Sequence, residues 1–140
     1  MLRDLTRISR EPFVPAVETE DAWTVSWVFA AGPSSVDGAR HATADRLARW
    51  GLHDRAEAAR LLVGELVEAA LGTCDRIRLT LMTEDGLLRG EVERLDPVPR
   101  RSEGRGHHLL ARLACCWGRA ATVEGTADWF ELPAPASPHA

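Results

Sequence analysis

Asp85-Gly86 lies between two runs that alternate apolar with polar residues, and no other feature restricts the fold as tightly. Before it, Arg76 to Met82 sets Ile77, Leu79 and Leu81 against Arg76, Arg78 and Thr80. After it, Leu87 to about Leu95 places Leu88, Gly90 and Val92 on one face. Alternation with a period of two is the signature of a half-buried strand. Asp-Gly supplies the turn that a two-residue hairpin needs. The chain must therefore contain an antiparallel hairpin with one face turned to a core.

The cover for that face is legible upstream. Ala58 to Leu71 reads AARLLVGELVEAAL, made of good helix formers, with Leu62, Leu66, Ala69 and Ala70 at helical spacing. The helix runs from about His53, and Gly72 stops it. Glu65 stands in its middle among apolar residues, either facing solvent or set beside a cavity. Position 69 lies one turn further along the same face. A second helix starts near Ser34 or Ser35, with Asp37 in its first turn, and ends at Gly51. Val36, Ala39, Thr43, Leu47 and Trp50 share its apolar face. Ahead of it, Ala22 to Ala30 reads as a strand with Trp23, Val25, Trp27 and Phe29 on one side. Two final strands, Ala120 to Glu124 and Ala127 to Leu132, turn at Gly125. Residues 1–20 read as a flexible polar arm and 133–140 as a disordered tail.

Composition narrows the function. A chain of 140 residues fits one domain with a real core. A net charge of −4 gives no electrostatic reason to expect direct nucleic-acid or anionic-membrane binding. No apolar run is long enough to span a membrane, and the first residues are too polar for a secretory signal, so a cytoplasmic location is expected. The chain has no Lys, Asn, Gln or Tyr, while Arg appears 17 times. Lacking Lys, it can form neither a P-loop nor a Schiff base. The cysteines Cys74, Cys115 and Cys116 are odd in number and show no Cys-x-x-Cys spacing, which argues against a disulfide framework or zinc. Vicinal His107 and His108 cannot easily share one metal from a helix, because neighbouring side chains point about 100° apart. No metal site is expected.

The stretch GELVEAAL resembles the signature helix of the GHKL (histidine kinase, gyrase and chaperone-like) ATPase superfamily. The resemblance is in particular to its anti-sigma-factor, serine-protein-kinase-like branch, whose helix reads roughly ELVTNAV. SVDGAR at 35–40 and WGL at 50–52 are similar to elements that precede that helix. GRGHHLLARLACCWG at 104–118 matches the branch's GRGLxLVxxLAxxWG, and WFEL at 129–132 is similar to its terminal strand. The resemblance covers residues 35–132 and implies a Bergerat-type two-layer α/β sandwich over 21–132. Its sheet would be mixed but mostly antiparallel, with helices on one face. It also implies a helix through 104–118, with Leu109 and Leu113 in the core. Cys115 and Cys116 would lie on that helix, where one can fill core space.

Carried over residue by residue, the resemblance implies that Glu65 holds the general-base position. The Asn that would hold Mg²⁺ is replaced by Ala69, and no Asn exists elsewhere to substitute. The base-binding Asp falls on Arg94 without a gap, or on Asp96 through the local pattern VERLDPVP. A period of two would project both toward the same face. Gly104, Arg105 and Gly106 match the glycine-rich approach to phosphate. The branch's supporting Thr becomes Ala127, with Thr126 one residue early and so on the opposite face.

These departures imply a regulatory protein, not an active enzyme. It would control transcription by binding a protein partner: a sigma factor, a DNA-binding regulator or an anti-sigma antagonist. No cofactor is expected. Two alternatives stay open: an active serine-protein kinase using ATP with Mg²⁺, and a nucleotide sensor that binds ATP without Mg²⁺. Arg100, Arg101 and Arg105 form a candidate docking surface for an acidic partner. The aromatic strand at 22–30 and the helix after it form a candidate homodimer interface.

Overall fold

In the computed structural model, residues 15–98 and 112–134 are described. Six strands form one sheet in the order β1-β2-β3-β4-β6-β5: β1 Val17–Glu20, β2 Thr24–Ala30, β3 Cys74–Glu84, β4 Leu87–Pro97, β5 Cys116–Ala121 and β6 Thr126–Pro133. Helices α1 (Pro33–Arg49) and α2 (His53–Ala70) lie between β2 and β3 in sequence and pack against the sheet, giving a two-layer α/β arrangement. Every strand pair is antiparallel, so the mixed sheet expected from the sequence is not what the described residues form.

The hairpin forms as its alternation requires. Asp85 and Gly86 take φ of 54° and 80°, the pair of left-handed conformations that matches the strand twist. Ile77, Leu79, Leu81, Leu88 and Val92 are fully buried. Phe130 of β6 lies over Gly90, and a Cβ there would collide with its ring. The helices cover this face with Ala39, Leu47, Leu62, Val63, Leu66 and Val67. Gly32 caps α1, and Ser35, at the third helical position, accepts the Gly32 N–H at 3.2 Å. Ser35 therefore supplies the N3 half of a capping box, which Gly32 has no side chain to complete, and is not the cap itself. Gly72, at φ +83°, follows the end of α2.

Two expectations fail for identifiable reasons, and the aromatic strand offers less exposed surface than its sequence suggests. The last residues of the supposed arm, Val17–Glu20, form an edge strand paired with β2. Thr19 and Ser26 share a hydrogen bond of 2.6 Å, and Glu20 reaches Arg46 of α1. Trp27 and Phe29 are buried in the core, so most of the aromatic surface that suggested a dimer is spent internally. Trp23 is 45% exposed and tilts against Trp50, their ring centroids 6.1 Å apart. Finally, Cys116-Trp117-Gly118 belongs to β5 rather than to the end of a helix. Cys115 and Cys116 are exposed, and Leu113 is 38% exposed instead of lying in the core.

Candidate functional site

Of the residues singled out in the sequence, those described lie on three elements: Glu65 and Ala69 on α2, Arg94 and Asp96 on β4, and Thr126 and Ala127 on β6. Glu65 is half-buried on α2, and Ala69, one turn on, is 8% exposed. A methyl group offers no ligand atom, so nothing at position 69 can hold a cation.

The end of β4 departs most from expectation. Arg94 pairs in register with Ile77 and Thr126 on the inner face, where it is 7% exposed. Its Nη2 donates to Asp128 Oδ2 at 3.1 Å, and Asp128 is itself only 4% exposed. Arg119 of β5 closes on the same carboxylate, with Nε to Oδ1 at 2.6 Å and Nη2 to Oδ2 at 3.3 Å. That hydrogen bond raises the Arg119 pKa above its ordinary value. One buried carboxylate thus lies between two guanidinium groups. Among the described residues, the buried Arg94 Nε has no hydrogen-bond partner.

Asp96 does not share the face of Arg94. Its φ of 51° breaks the extended alternation, and its carboxylate accepts from Arg76 Nε at 2.6 Å on the surface. The Arg76 hydrogen bond holds the Asp96 carboxyl below its ordinary value. Neither position is therefore a free base-binding Asp. The assignment on β6 is corrected as well. Thr126 pairs with Arg94 and shares its face, whereas Ala127 pairs with Glu93, next in the strand, on the other face. Gly104, Arg105 and Gly106, with Arg100, Arg101, His107 and His108, lie outside the described residues.

Asp128 and Arg119 were missed in the sequence, although a signal existed. In TADWFEL, period two puts Thr126, Asp128, Phe130 and Leu132 on one face, so Asp128 falls among core residues. A charge on that face requires a buried partner, and Arg94 occupies the inner face of the neighbouring strand.

The opposite face of the sheet is a lattice of ion pairs. Arg78 of β3 reaches Glu18 of β1 at 2.9 Å, Glu93 of β4 at 2.7 Å and Glu124 of the β5–β6 turn at 3.1 Å. Its hydrogen bond is the main cause that lowers the Glu18 pKa. Elsewhere, a groove of about 360 Å³ runs between α1 and α2, lined by Asp37, Arg40, His41, Ala44, Arg60 and Leu61. It includes none of the residues that the sequence put at a nucleotide site.

No protein-family model matches the chain, and no curated protein matches it.

Proposed function

We propose that the chain is a regulatory protein on a degenerate Bergerat-type sandwich, similar to the anti-sigma-factor kinase branch, that acts by holding a protein partner. The observation that carries this reading is the end of β4. Arg94 is committed to a buried ion pair with Asp128, and Asp96 is turned out to Arg76. Together with Ala69, this removes the base contact and the metal ligand at once.

Phosphoryl transfer depends on positioned Mg²⁺ and an oriented nucleophile, because charge neutralisation and alignment supply nearly all of the catalysis. Loss of one such stabilising contact typically costs about 10²–10³ in rate. Glu65 retains the position of a base but has no metal-bound phosphate to work beside. Partner binding without turnover is the function that survives these changes. A homodimer belongs to the same proposal, using β1 and α1 rather than the buried side chains of β2. Val17 of that edge strand and the adjacent Trp23 are each 45% exposed.

The test is cross-linked capture of partners from cells, in parallel with Mg-ATP and with a chelator. A transcription regulator recovered equally in both supports the proposal. Recovery that requires Mg-ATP, or transfer of the γ-phosphate to the captured protein, contradicts it.

A further inference from the structure

Cys115, Cys116 and Glu131 meet at the outer end of the β5–β6 pair, away from the Arg94–Asp128 node. Their candidate ligand atoms lie within 4.8 Å of one another. The register fixes this meeting: Cys116 pairs with Glu131, and the Cys115 N–H donates to the Glu131 carbonyl at 2.8 Å. Both cysteines are exposed and therefore accessible, unlike the buried Cys74.

We propose that these three side chains bind a borderline-soft divalent cation of the Zn²⁺ class, with a fourth position open to solvent. The Sγ atoms are 3.4 Å apart. Two thiolates on a tetrahedral Zn²⁺, with bonds of about 2.3 Å, stand roughly 3.8 Å apart, so a small rotation brings them into place. A linear two-thiolate cation would need roughly twice the bond length, about 4.6 Å, which adjacent residues reach less easily. Two sulfurs with one carboxylate favour Zn²⁺ or Cd²⁺ over Mg²⁺ or Ca²⁺, which take oxygen ligands.

The surroundings orient the carboxylate. Arg89 Nη1 donates to Glu131 Oε2 at 3.1 Å, and its guanidinium lies 4.3 Å from the Trp129 ring centre. Outer contacts of this kind fix a ligand's direction. The neighbouring Cys116 thiol, then burial, then the charges of Cys116 and Glu131 raise the Cys115 pKa above its ordinary value. A divalent cation would relieve the mutual repulsion of the three ionised ligands. Ligand spacing in the sequence could not disclose this set, since its third member comes from the neighbouring strand.

The experiment titrates the reduced full chain with Cd²⁺ without oxygen, follows thiolate-to-metal charge transfer, and then displaces Cd²⁺ with Zn²⁺. One equivalent should bind with Kd of about 1 μM or tighter. Cys74→Ala should leave this unchanged, while Cys115→Ser, Cys116→Ser and Glu131→Gln should each weaken it by at least about tenfold. No stoichiometric binding at tens of micromolar overturns the proposal, as does unchanged affinity in any of those three variants. Circular dichroism checks each variant's fold. Alkylation mapped by mass spectrometry on the unmodified protein supplies an independent readout. Zn²⁺ should protect Cys115 and Cys116 together, and protection of neither overturns the site.

Discussion

Replacing Asp128 with Ala perturbs the node that closes the candidate site. The change removes three hydrogen bonds, one from Arg94 and two from Arg119. The Arg119 side chain is 50% exposed and can return to water, so its share of the loss is small. Arg94 is 7% exposed and would be left as a buried cation without its counter-ion. Breaking a buried pair from one side costs about 3–5 kcal/mol, and the low end, about 3 kcal/mol, applies where one partner can re-solvate. Asp128→Asn keeps an acceptor of the same shape and should lose about 2 kcal/mol. Arg94→Met with Asp128→Leu removes both charges and should recover most of the Ala variant's loss. Urea denaturation with an unchanged slope measures all three. A loss below about 1 kcal/mol in Asp128→Ala would refute the reasoning. Arg94 would then be free to meet an anionic ligand, and the site would not be closed.

Other outcomes follow from packing and charge. Gly90→Ala should destabilise by about 1–3 kcal/mol, because its Cβ meets the fully buried Phe130 ring. Gly64→Ala meets only the tip of the Arg40 side chain, which can swing away, so the helix should gain up to about 1 kcal/mol. Equal effects in a thermal melt would contradict this contrast. Glu18 and Asp96 titrate below their ordinary values of 4.5 and 3.8 in the folded chain because Arg78 and Arg76 bond to them. Their contribution is complete above those ordinary values and is lost as pH falls through the depressed ones. Arg78→Met should therefore flatten the acid limb of a stability profile, and an unaltered limb would show the pair to be inert. Light scattering should give twice the 15.4 kDa chain mass, and a monomer at tens of micromolar would remove the homodimer.

The hairpin and both helices were legible because their patterns are local: Asp85-Gly86 dictates its turn, and Leu62 to Ala70 shows a helical face. β1 was not. VETE is exposed throughout and carries no apolar period, and its strand is held by Ser26 of the next strand and by Arg46 and Arg78, which are remote in sequence. β5 was legible only at its end, Ala120–Ala121, since CWGRAA shows no alternation of burial and a motif match favoured helix through Gly118. At the candidate site, period two placed Arg94 inward, as observed, but could not foresee the positive φ that turns Asp96 away. The inner-face Asp128 was readable in principle. Finding it required asking which buried cation balances it, a question that one strand read alone does not raise.

Calorimetric titration of ATP, with and without Mg²⁺, into the unmodified protein and an Ala69→Asn variant tests the central claim most directly. With Arg94 and Asp96 both held in ion pairs, restoring the metal ligand alone should not restore the site. The account predicts no Mg²⁺-dependent binding tighter than about 100 μM, roughly −5.5 kcal/mol, in either protein. Saturable, Mg²⁺-dependent binding tighter than that by the unmodified chain would contradict it.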